Sequence, residues 1–169
     1  MNQKWQKPAQ GFIKIIFDGS VKKAEKKKRG PGIIARNEKG EVMGVVQATI
    51  DGVTEPKVIK AYAACRGMKF AQQTGFTNII LEGDSLPVIL KILQLDPSLS
   101  FIGNLTEKVK SMKKNFRKCK IQHVKREANG VAHSLAKSAF NLSEDVYWVE
   151  ECPDHLILVI ISDCNLVSI

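Results

Sequence analysis

The chain has 169 residues, enough for one domain, and its 44% hydrophobic and 25% charged residues are the proportions of an ordinary globular fold. That make-up excludes collagen-like repeats, coiled coil and wholesale disorder, and the longest apolar run, residues 156–161, is too short to span a bilayer. The net charge of +9 is unevenly split: residues 1–140 hold all 26 Lys and Arg and stand at +15, whereas residues 141–169 stand at −6. A basic body with an acidic tail points to a polyanionic partner such as nucleic acid. The polar N-terminus lacks the apolar stretch of a secretion signal. The four cysteines are scattered, with no Cys-x-x-Cys pair, so no zinc site or disulfide framework is expected. Reduced thiols in an intracellular protein, nuclear or cytoplasmic, fit best.

In chain order, residues 11–18 are β-branched and aromatic with little polar alternation, the pattern of a strand covered on both faces. Residues 21–30 carry six basic side chains and one acid and read as a solvated loop, or else as a nuclear-localisation or phosphate-contact segment. Residues 32–37 and 41–50 are strand-like and joined by a short turn at Glu38-Lys39-Gly40. The Gly-Pro-Gly at 30–32 reads as punctuation before a strand, because the later Gly and helix of a dinucleotide loop are missing.

Residues 58–74 predict a helix closed by Gly75. At 100° per residue, Lys60, Ala61, Ala64, Gly67, Met68 and Ala71 share one face, so a lysine sits on an otherwise apolar stripe. Residues 77–83 form the next strand, and Asp84-Ser85-Leu86-Pro87 resembles an N-terminal cap for a helix to about residue 93. Leu105, Val109, Met112 and Phe116 mark a third helix over about 102–116. A short strand at 121–124 and a last helix at about 130–140, with Ala132, Leu135, Ala136 and Ala139 inward, complete the pattern. This order predicts an α/β fold, a mixed sheet with helices on both faces.

Asp18 ends the first strand and Asp84 the fourth. A carboxylate at a buried strand end is costly unless a cation sits beside it. Two such groups at adjacent strand ends suit a divalent metal with oxygen ligands. The same residues also fit a helix cap and a turn.

The motifs then resemble a known family. Trp5-x-x-Pro8-x-x-Gly11-x-x-Lys14 leads into Asp18-Gly19-Ser20; Gly67-Met68 lies in the first helix; Glu82-Gly83-Asp84-Ser85 follows; and His123 to Asn129 precedes Ala132-His133-Ser134-Leu135-Ala136-Lys137. In this order and spacing they resemble the type 1 ribonuclease H-like domain, in its plant, retroelement-associated branch. The resemblance implies a five-stranded mixed sheet with helices on both faces. It also implies hydrolysis of the RNA strand of an RNA–DNA hybrid by two divalent metals, Mg²⁺ or Mn²⁺, held by four acids. Asp18 matches the first acid and Asp84 the third. The position of the second is Lys60, and that of the fourth is His133, which is common among plant relatives. Glu55 precedes Pro56 and cannot replace the missing acid without unwinding the helix.

An ammonium about 4 Å from a divalent ion repels it by several kcal/mol at an effective dielectric of about 20. Lys60 is therefore read as an internal counterion for Asp18 and Asp84, leaving little or no cleavage and no required cofactor. The open alternative is an active, metal-dependent hybrid ribonuclease using Asp18, Asp84 and His133, with Glu82 as a further ligand on a regular strand. A third reading is a protein-interaction module on the same fold. Nucleic-acid contacts are expected at Ser20, Lys113, Lys114, Lys118, Arg126 and Asn129, since residues 108–126 hold nine basic side chains and no acid. His123 is expected to be structural. The domain is placed at residues 1–140 with an acidic extension at 141–169, whose run 156–161 is strand-prone, and the chain is expected to be monomeric and away from membranes.

Overall fold

A computed structural model describes residues 4–21, 29–50, 55–94, 101–138, 145–149, 154–157 and 160–161. Seven elements follow the expected order of three strands, a helix, a strand and two helices: β1 Ile13–Val21, β2 Arg29–Arg36, β3 Val42–Gln47, α1 Pro56–Thr74, β4 Asn78–Gly83, α2 Leu86–Leu93 and α3 Phe101–Met112. β5 Lys118–His123 and α4 Gly130–Ser138 complete that order, and β6 Val146–Val149 adds to it. The strands form one mixed sheet in the order β5-β4-β1-β2-β3-β6, with β1-β4 and β4-β5 parallel and the other pairs antiparallel. The sheet thus has six strands, not five. The sixth arises because Val146–Val149 pairs with β3, whose outer edge would otherwise stand unpaired.

Two cores flank the sheet. One joins odd-numbered residues of β1, Ile15 and Phe17, to α1, α2 and α3; the other joins Ile16, Ile34 and Val45 to α4 and Trp5. α1 is buried well beyond a single stripe, at Val58, Cys65 and Phe70 as well as Ala61, Ala64 and Met68, because α3 packs on it from the other side. Gly67 lets the helix approach the sheet, since a Cβ there would lie 3.1 Å from Ile15. Gly75 closes α1 in the left-handed region at φ 86°, bonding back to Ala71 and Gln72.

Several local expectations change. The Gly-Pro-Gly lies inside β2, with Gly30, Pro31 and Gly32 opposite Ser20, Gly19 and Asp18. Gly32 is required there by contact with α4, because a Cβ would come within 2.4 Å of the Ala136 nitrogen. Val21, Arg29 and Gly30, expected in a loop, are strand residues, and residues 22–28 with five of the basic side chains lie outside the described residues, as does Ala139. Ser85 occupies the cap of α2 without a side-chain cap bond, and Asp84 supplies none either. The third helix ends at Met112, followed by a 3-10 turn at Lys113–Asn115. The strand-prone tail is helical at residues 157, 160 and 161, after a 3-10 turn Asp154–Leu156. Leu156 and Ile160, four apart, both bury against the Trp5 core. Among the described residues no helix is long and apolar enough to cross a membrane.

Candidate functional site

The site forms where the C-terminal ends of β1 and β4 meet the first turns of α1 and α4. Asp18 is 1% exposed on β1, and one oxygen accepts the Gly19 N–H at 2.9 Å. β4 comes close enough to deliver Asp84 because Gly83 has no side chain, and a Cβ there would sit 2.4 Å from the Phe17 ring. From α1, the Lys60 ammonium donates to Asp84 Oδ1 at 3.2 Å and stands 3.4 Å from Asp18 Oδ1. One cation therefore bridges both carboxylates.

On the other side of Asp18, His133 Nδ1 lies 2.9 Å from Oδ2. Arg126 Nη2 lies 3.2 Å from His133 Nε2. A guanidinium can only donate, so Nε2 accepts and the ring proton belongs on Nδ1, directed at Asp18. Asn129 fixes this arrangement: its side-chain N–H donates to the Phe17 carbonyl at 3.2 Å, and its own carbonyl accepts the His133 N–H. At 1% exposure it is buried within this arrangement.

Burial pushes the Asp18 carboxyl above its ordinary value of 3.8, and the charge of Asp84 adds to this. Lys60, His133 and the Gly19 N–H pull the other way. Burial also raises Glu82, against the attraction of Lys14. Glu82 does not join the site as the alternative ligand. β4 ends at Gly83, and the Glu82 carboxylate turns to Lys14 at 3.0 Å and Gln122 at 3.0 Å.

The geometry fits a divalent metal poorly. The space between Asp18 and Asp84 is taken by an ammonium, and among the described residues no three His, Cys, Asp or Glu side chains are grouped to hold a metal ion.

Asp18, Asp84, Lys60, His133 and Arg126 are thus brought together, and Ser20 follows two residues along β1. Lys113, Lys114 and Lys118 are not. Lys118 pairs with Asn78 at the start of β4, whereas His123 is level with Gly83, so Lys118 lies about 17 Å from the level of the site along β5, and Lys113 and Lys114 precede it in the 3-10 turn. His123 is exposed, and its Nε2 is 3.3 Å from the Asp84 carbonyl. The ion pair Lys14–Glu82 went unread in the sequence. Its signal was a lone base in one apolar strand and a lone acid in another.

Residues 16–139 match the family model described as Reverse transcriptase-like. The chain belongs to this family. No curated protein matches it. This reverse transcriptase-like chain is similar in fold to RNase H1 from the halophilic archaeon Halobacterium salinarum NRC-1, at 22% identity and a TM-score of 0.68 over 76% of this chain and 96% of that one. It is likewise similar to the N-terminal RNase H domain of Rv2228c from Mycobacterium tuberculosis, at 20% identity and 0.68 over 77% and 99%. LC11-RNase H1 in complex with RNA/DNA hybrid aligns at 20% identity and 0.67, over 76% and 96%. These likenesses establish the ribonuclease H-like fold.

Proposed function

We propose that this chain is a ribonuclease H-like domain that binds RNA–DNA hybrid or structured RNA, and that Lys60 has disabled its two-metal chemistry. The observation that carries the reading is the Lys60 ammonium lying within 3.4 Å of both Asp18 and Asp84. It neutralises one of the two carboxylate charges that would draw a divalent cation and occupies the space between them. Binding is supported by the basic surface and by the fold shared with a protein solved on RNA/DNA hybrid. Such a surface reads a duplex by backbone and 2′-hydroxyl shape, not by base sequence. The Trp5 and Lys14 pattern and His133 further support a place in the plant, retroelement-associated branch. The functional unit is residues 1–140, followed by an acidic extension at 141–169 whose strand Val146–Val149 pairs with β3.

Cleavage of a labelled RNA–DNA hybrid in Mg²⁺ and Mn²⁺, beside the Lys60→Glu variant, tests this. The expected result is hybrid binding without cleavage by the native chain, and metal-dependent cleavage by the variant. Cleavage by the native chain that Asp18→Asn abolishes would show an active ribonuclease using Asp18, Asp84 and His133. Absence of any salt-sensitive binding would leave the fold as a protein-interaction module.

A further inference from the structure

Away from Lys60, α1 and α3 border a cavity of about 280 Å³. It is lined by positions 62, 65, 66 and 69 of one helix and 105, 108, 111 and 112 of the other, a single face of each. No acid is among them, and three are cationic: Arg66, Lys69 and Lys108.

The three cations differ in one respect. Arg66 is already engaged: Nη1 pairs with Asp145 at 3.0 Å and reaches the Tyr62 hydroxyl at 3.3 Å, and Nη2 donates to the Tyr147 hydroxyl. Lys69 and Lys108 are exposed and have no ion-pair partner among the described residues. They line the same cavity, one from each helix, together with Cys65. The Cys65 thiol donates to the Leu105 carbonyl at 2.9 Å, and burial pushes it up to about 11, so it is a neutral wall and not a nucleophile. Two unpaired ammoniums over an acid-free cavity repel each other, and an anion held between them removes that cost. Met112 and the Tyr62 ring add an apolar, partly flat lining.

We infer that this cavity binds a phosphorylated ligand with a flat apolar body, the chemistry of a nucleoside monophosphate, with its phosphate between Lys69 and Lys108. The volume lies just below about 300 Å³, where small-molecule pockets begin, and suits one nucleotide instead of a longer ligand. The site is separate from the carboxylate cluster, because Lys69 is nine residues beyond Lys60, about 13 Å along the helix. The same chemistry is available from a free nucleotide or from an unpaired nucleotide of an RNA strand.

Methyl NMR on protein labelled at the methionine methyl groups tests the inference, titrating adenosine 5′-monophosphate, single-stranded oligoadenylate and inorganic phosphate in turn. Met112 lines the cavity and Met68, fully buried against the sheet, is the internal control. The mononucleotide is expected to shift Met112 and leave Met68 in place, with at least tenfold weaker binding in the Lys69→Gln/Lys108→Gln variant. Both replaced side chains are exposed, and an unchanged Met68 signal verifies the fold of the variant. A Met112 shift with oligoadenylate alone supports the site and assigns its nucleotide to RNA. No Met112 shift with either nucleotide, full binding by the double variant, or an equal response to inorganic phosphate would overturn it.

Discussion

Gly19 lies directly against Ile59: a Cβ on the glycine would come within 2.4 Å of the Ile59 side chain and 2.8 Å of its carbonyl carbon. This contact presses the end of β1 onto the first turn of α1. It is what brings Lys60, the next residue, to Asp18, the preceding one. The ammonium bridge is therefore a consequence of backbone packing, not of a long side chain reaching across open space.

Gly19→Ala consequently strains both strand and helix. Overpacking against side chains costs about 1–3 kcal/mol, and the backbone component here places the expected loss at the upper end. Urea unfolding gives the number. A loss below about 0.5 kcal/mol would mean that α1 moves away from β1 freely and that the bridge is not set by this contact.

Asp18 also gives the fold a pH signature. A carboxyl whose folded value is raised holds its proton longer folded than unfolded, so the folded chain binds more protons between the two values. Its contribution to stability is fully present below 3.8 and declines as pH rises through the raised value. Asp18→Asn removes that slope. The stability of the variant relative to the native chain should therefore rise from about pH 4 toward neutrality, measured by thermal unfolding across that range. A relative stability that falls over the same span would mean that Lys60 and His133 outweigh burial.

Much of the fold was legible because its signals are local. The α1 stripe, the Gly75 stop and the apolar β1 and β4 runs each follow from a few neighbouring residues. The pairing of Asp18 with Asp84 was suggested by their places at strand ends, whereas the place of Lys60 between them was legible only through the family motifs, since residues 18, 60 and 84 are brought together by the sheet and by Gly19 and Gly83. β6 was not legible: a four-residue strand has too short a period to read, and its place depends on the free edge of β3. The burial of Asn129 against the Phe17 carbonyl was not legible either, because an amide before a helix gives no sign of whether it faces water.

The buried pair Lys14–Glu82 offers a test of what holds the sheet centre. Both side chains are under 5% exposed, and Lys14 also donates to the Gln6 carbonyl, tying the N-terminal segment to β1. Lys14→Met leaves Glu82 buried with Gln122 and should cost about 3–5 kcal/mol at neutral pH, less in acid where Glu82 is protonated. Lys14→Met/Glu82→Leu should recover most of that loss, because an apolar pair of similar volume needs no counter-charge. A double variant as unstable as the single one would place the cost in the lost tie to Gln6 instead.

The separation of the basic end of β5 from the carboxylate cluster bears on how a duplex is held. Lys118 lies about 17 Å along the strand from the level of His123, so only a ligand of that length engages both ends. Each phosphate neutralised by a lysine adds about one unit to the fall of log affinity with log salt. A long RNA–DNA hybrid should therefore show a steep salt slope that drops by about one unit in Lys118→Ala. A hybrid too short to reach from Arg126 to Lys118 should show a shallower slope that the same variant leaves unchanged. Fluorescence anisotropy at several salt concentrations measures both. An equal drop for long and short hybrids would mean that the duplex lies on the lysine end alone and does not extend to Asp18.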